Sequence, residues 1–173
     1  MLVPTHNEGS VLRQSVEPLL QQMPLQVVII DDGSHQPAVK QVQGLPVVVL
    51  RHKVNLGQGA ALQTGITYAR KANADYVITF DADGQHAASD LPALLQPLLR
   101  NEADIVLGSR FINGHSNSVP LFKKGILHAA RFINYSFTGI LLSDAHNGIR
   151  AFNKTALDKI SLTENRMAHA SEI

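Results

Sequence analysis

Short apolar runs rich in β-branched residues alternate along this chain with longer stretches whose apolar positions recur at helical spacing. Residues 27–30, 47–50, 76–80 and 105–107 predict short strands buried on both faces, and Leu2 with Val3 predicts a shorter one before Pro4. Residues 11–22, 59–72 and 91–100 predict the helices between them. Strand and helix in alternation imply βαβ units and a mostly parallel sheet. Such sheets bind ligands outside the carboxyl ends of their strands.

Every predicted strand runs into polar residues. The ends are Pro4-Thr5-His6-Asn7-Glu8, Asp31-Asp32-Gly33-Ser34, Asn55-Leu56-Gly57-Gln58-Gly59, Asp81-Ala82-Asp83-Gly84-Gln85-His86 and Gly108-Ser109-Arg110. Five such ends along one edge describe a ligand cleft. Beyond Asn113 the pattern loosens, and the apolar stretch 119–142, with Lys123, Lys124 and Arg131 interspersed, predicts an amphipathic helix pair.

Composition narrows the classes. With 173 residues, 45% of them hydrophobic, the chain suits one globular domain spanning 1–173. A formal net charge of +1 supplies no field that would favour nucleic acid. The absence of cysteine excludes disulfides, thiolate zinc sites, Fe–S clusters and a cysteine nucleophile. Asn7 and Glu8 interrupt any leader-like apolar stretch, and no run reaches the roughly 18 apolar residues of a membrane span. A cytoplasmic protein is therefore expected. The short first strand and the stop at Glu172-Ile173 lead us to expect a chain trimmed at both ends.

Asp81 and Asp83 leave a buried strand at i and i+2, where their oxygens can meet a hard divalent cation such as Mg²⁺ or Mn²⁺; the alternative is a turn. Asp31 and Asp32 can accept from a base or ribose, or can fasten a loop. Gly57 and Gly59 open a helix where backbone can approach phosphate, or serve close packing of helix on sheet. Arg110, at a strand end, and Arg150, placed in a loop after Asn147-Gly148, are the cations suited to phosphate, or are ordinary surface ion-pair partners. None of the eight histidines falls at a zinc spacing, and no Gly-x-Ser-x-Gly elbow is present.

Together, in this order, these strand ends and the later Asp144-Ala145-His146-Asn147-Gly148-Ile149-Arg150-Ala151-Phe152 resemble a family 2 glycosyltransferase. The likeness covers nearly the whole chain and is nearest the branch of dolichol-phosphate mannosyltransferase and bacterial polyprenyl-phosphate glycosyltransferases. It implies the GT-A fold, a Rossmann-like, mostly parallel α/β sheet flanked by helices. It also implies that Pro4, Thr5, Asn7 and Glu8 line the nucleotide pocket and that Asp32, with Asp31, holds base or ribose. Asp83 would ligate the metal, Asp81 would hold the nucleotide or the metal shell, and Gln85 would add an oxygen. Arg110 and Arg150 would face phosphates, and Asp144 or Glu172 would be the base for a hydroxyl acceptor. Gln58 departs from the resemblance, standing where many relatives carry Lys or Arg.

The activity so implied is inverting transfer from a UDP- or GDP-sugar, with Mg²⁺ or Mn²⁺, to a polyprenyl phosphate or a cell-envelope glycan. The enzyme would sit in the cytoplasm, peripheral at the inner face of the membrane. Two alternatives remain: a truncated domain that binds nucleotide-sugar without turnover, and a sugar-nucleotide pyrophosphorylase. The second would need a Gly-rich basic loop after strand one, which Pro4-Thr5-His6-Asn7-Glu8-Gly9 is not.

Overall fold

The computed structural model describes residues 1–82, 88–108 and 149–165. The chain divides into two compact units, Met1–Val106 with Gly148–Ile173, and Leu107–Asn147. Apart from Leu107 and Gly108, the second unit lies outside the described residues.

The first unit follows the predicted alternation: β1 (Leu2–Thr5), α1 (Ser10–Gln22), β2 (Val27–Asp31), α2 (Ala38–Gln41), β3 (Val47–Arg51), α3 (Gln58–Lys71), β4 (Tyr76–Thr79), α4 (Leu91–Leu99), β5 (Ile105–Leu107), β6 (Arg150–Asn153) and α5 (Lys154–Lys159). The strands form one six-stranded sheet in the order β3-β2-β1-β4-β6-β5. β1 pairs in parallel with both β2 and β4, and β2 with β3, whereas β6 returns antiparallel to β4. The α/β, mostly parallel architecture expected from the pattern is therefore present.

Alternating strand residues face opposite sides of the sheet, and each side has its own core. Val3, Ile29 and Ile78 pack with Leu12, Val16 and Leu19 of α1 and Leu91, Leu94 and Leu98 of α4. Leu2, Val28, Ile30 and Val77 pack instead with Leu62 and Ile66 of α3, Phe152 of β6 and Leu157 of α5. A Cβ on Gly65 would stand 3.0 Å from the side chains of Leu2 and Ile30, so α3 lies close against β1 and β2. Small residues on that helix thus serve packing.

Three expectations need correction. β3 and β5 are only partly buried because one lies at each edge of the sheet. Arg150 begins β6 rather than sitting in a loop. The pattern also missed α2, β6 and α5, whose four to six residues are too short to show a period. α5 does carry a local signal: the Asn153 side chain caps it, accepting from the Ala156 amide at 2.9 Å.

Candidate nucleotide-sugar site

The parallel strands β1 to β4 deliver their carboxyl ends to one edge, so Thr5, Asp31, Arg51 and Asp81 open onto a common rim. From β1 the chain winds one way to β2 and β3 and the other way to β4, and such a switch point leaves a crevice. β6 runs antiparallel, so its first residue rather than its last reaches that rim. Arg150 pairs with Thr79 at the end of β4.

Three rim loops are laced together by hydrogen bonds. Asn7, at φ 62°, takes the left-handed conformation that asparagine tolerates. Its amide donates to Ser34 Oγ at 2.9 Å, and its Oδ1 accepts from the His35 amide at 2.8 Å. His6 Nδ1 lies 2.8 Å from the Asp32 carbonyl oxygen. Gly33, at φ 70°, lets the second loop press on the third: a Cβ there would stand 2.5 Å from the Val54 carbonyl carbon. Pro4 and Thr5 are buried within β1, and Glu8 accepts through its carbonyl from Val11 at the entry of α1. Asn7 is the exposed member of the four residues expected to line a nucleotide pocket.

Asp31 and Asp32 both accept backbone amides. Asp31, fully buried, takes the Ser34 amide on Oδ1 and the Ala38 amide on Oδ2, each at 2.9 Å, with Arg51 Nε 3.3 Å away. Burial pushes its carboxyl up, but the hydrogen bonds from Ala38 and Ser34 and the charge of Arg51 outweigh it and hold the carboxyl below its ordinary value. Asp32 takes the Leu56 amide at 2.9 Å and the Gly57 amide at 2.7 Å, and His52 Nδ1 lies 2.8 Å from its Oδ1. The loop-fastening alternative is thus the one whose geometry the structure displays.

Gly57 and Gly59 also have work inside the chain. The Gly57 amide is the one held by Asp32, and the Gly59 and Ala60 amides donate to the Asn165 carbonyl at 2.9 and 3.3 Å. The segment carrying Asn165 runs back along α3. Arg70 holds the Leu157 and Ile160 carbonyls at the end of α5, and Gln63 Oε1 accepts the Leu162 amide at 2.7 Å. The phosphate-cradle expectation therefore meets a helix start already capped by the chain itself.

At the switch point, Gln58 Nε2 donates to Asp81 Oδ1 at 2.9 Å. Arg150 is buried within reach of the Asp81 charge. Burial pulls its guanidinium below its ordinary value, and the negative charge of Asp81 works against that pull. A carboxylate oxygen at a strand end is the hard donor that Mg²⁺ or Mn²⁺ selects, so Asp81 fits one position of such a shell. Asp83, Gln85, Arg110, Asp144, Glu172 and the stretch 119–142 lie outside the described residues. Among the described residues no cluster of three or more acidic or histidine ligands forms, and no helix is long and apolar enough to cross a membrane.

Sequence reasoning passed over His52 and marked Gln58 only as a departure from the resemblance. Neither falls in a spacing tied to chemistry; the parallel pairing of β2 with β3, which sets Asp31 opposite Arg51, brings His52 beside Asp32.

Comparison with known proteins points one way. The model of "Glycosyl transferase family 2" matches residues 1–161. The UDP-N-acetylglucosamine–dolichyl-phosphate N-acetylglucosaminyltransferase of Methanococcus voltae is 31% identical over 93% of this chain and 71% of its own length. The dolichol-phosphate mannosyltransferase of Pyrococcus furiosus is 26% identical over 94% of this chain, which spans 48% of that protein. Among solved structures, glucosyl-3-phosphoglycerate synthase from Mycobacterium tuberculosis, crystallised with Mn²⁺, UDP and glucosyl-3-phosphoglycerate, superposes with a TM-score of 0.63. It is 17% identical, and the match covers 89% of this chain and 56% of that one.

Proposed function

The chain belongs to glycosyl transferase family 2, and from that premise we propose that it transfers a sugar from a nucleoside diphosphate sugar to a polyprenyl phosphate at a membrane surface. One observation carries the reading. Asp81, held by Gln58 and acting through its charge on the buried Arg150, stands at the switch point between β1 and β4, where a sheet of this kind offers its crevice. The Mn²⁺ and UDP bound by a structural neighbour, and the lipid phosphates in the relatives' names, support the substrate classes.

The charge problem sets the roles. As the bond from the anomeric carbon to the diphosphate oxygen breaks, negative charge gathers on the leaving group. A divalent ion held by Asp81 and Asp83 would neutralise that charge. Arg150, held in β6 and screened from water, would supply a permanent cation in the neighbourhood of Asp81. Gln58 orients Asp81 by donating to one of its oxygens. The acceptor oxygen bonds the anomeric carbon from the opposite face, so the configuration inverts. A lipid phosphate is already anionic and needs no base; a sugar hydroxyl would need one, for which Asp144 or Glu172 would serve.

The test gives full-length protein UDP-N-acetylglucosamine and GDP-mannose in turn, with Mn²⁺ or Mg²⁺. Polyprenyl phosphate vesicles and soluble saccharides are the acceptors. The expected product is a metal-dependent glycolipid of inverted anomeric configuration. Transfer to soluble saccharides alone would overturn the lipid acceptor and make Asp144 or Glu172 the base.

A further inference from the structure

Residues 53–56, which join β3 to the start of α3, are exposed, Val54 by 61% and Leu56 by 47%. Apolar burial therefore does little to place this loop. Its anchor is polar, since the Asp32 carboxylate grips the Leu56 and Gly57 amides. The carboxylate is in turn held from behind. His52 Nδ1 sits 2.8 Å from Asp32 Oδ1, and Nε2 sits 2.9 Å from Thr64 Oγ1 on α3. An ionised carboxylate only accepts, so we assign the ring proton to Nδ1, leaving Nε2 to accept from the threonine hydroxyl. A hydrogen-bonded line then runs from Thr64 through His52 and Asp32 to Gly57, and the next residue, Gln58, reaches Asp81.

We infer that His52 is a positioning residue for the donor site, fixing Asp32 and through it the 53–57 loop and the reach of Gln58 to Asp81. The imidazole is mostly shielded, with 13% of its side chain exposed, so it acts through Asp32 and not on substrate. The inference rests on the nucleotide-sugar reading of the site and deepens it. What it adds is a lever on donor affinity that lies behind the rim.

Two substitutions separate positioning from packing. His52→Asn keeps a nitrogen donor on Cγ where Nδ1 stood, whereas His52→Leu keeps apolar bulk and removes the donor. Calorimetric titration of full-length protein with UDP and with GDP, in Mn²⁺, reads affinity. Amide hydrogen exchange at Leu56 and Gly57 in the nucleotide-free protein reads the loop. Losing one hydrogen bond on the line should weaken nucleotide binding about 3- to 10-fold in His52→Leu and speed exchange by a similar factor. It should raise the donor KM by more than it lowers kcat. His52→Asn should return all three readouts towards wild type. The reverse order, with leucine tolerated and asparagine not, makes His52 a packing residue and overturns the inference. Unchanged affinity and exchange in both variants does the same. If wild type binds neither nucleotide, the donor-site reading itself fails and takes this inference with it.

Discussion

Replacing Asp31 with asparagine should destabilise the protein strongly and remove part of its sensitivity to acid. The carboxylate is fully buried, and its two oxygens take the Ser34 and Ala38 amides at 2.9 Å each. An asparagine offers one oxygen, so its NH₂ group must face one of those amides, donor against donor. Hydrogen bonds to a charged group contribute about 1.5–3 kcal/mol each, and an orphaned buried donor costs about 1–3 kcal/mol. Arg51 adds little, because its side chain is 44% exposed and water screens the pair, so at most about 1 kcal/mol is assigned to it. The expected loss near neutral pH is roughly 3–5 kcal/mol, within the 5–15 kcal/mol typical of whole domains. The sign with pH follows from the lowered carboxyl. A depressed folded-state pKa gives stability that is present above the unfolded value of about 3.9 and lost as pH falls through the folded one. The gap between wild type and Asp31→Asn, read by urea denaturation at about pH 7 and again below about pH 4, should therefore narrow in acid. A gap under about 1 kcal/mol at neutral pH, or one that stays constant into acid, would refute this account of Asp31.

Other outcomes follow from single contacts. Gly33→Ala should cost about 1–3 kcal/mol or more, because its φ of 70° strains any L side chain and the new Cβ meets Val54 backbone at 2.5 Å; thermal melting measures it. Asp83→Asn should abolish Mn²⁺-dependent nucleotide binding in calorimetry while leaving the circular dichroism spectrum unchanged. Arg150→Gln should lower kcat by about 10²-fold, the scale of removing one preorganised charge stabiliser, and steady-state assay with donor saturated isolates that effect. Asp144→Asn should leave kcat nearly unchanged with polyprenyl phosphate, whereas a hydroxyl acceptor relying on that base would show a loss of about 10²–10⁴.

Much of this protein is written in local pattern. Two-sided apolar runs and helical spacing identified five of the six strands and three of the five α-helices among the described residues to within a few residues. The periods of strand and helix are properties of neighbouring residues and need no distant partner. The succession of polar strand ends was also local, and parallel pairing alone turns that succession into a shared rim. Asp81 and Asp32 could be singled out from sequence because an acid directly after a buried strand is already placed by the strand.

Tertiary structure decided what these residues touch. β6 is a four-residue strand holding a buried arginine, and its antiparallel return, which no local period encodes, is what carries Arg150 to the end of β4. The loop contacts of Asp31 and Asp32 are made with amides three to 25 residues away. The start of α3 looked open to phosphate in sequence, but Asn165, over a hundred positions later, puts its carbonyl there. His52 showed no signal because its meaning lies in two partners on different elements. Hydrogen-bond partners depend on where the chain returns in space, and a carboxylate, an imidazole or an amide reads the same in sequence whichever partner it finds.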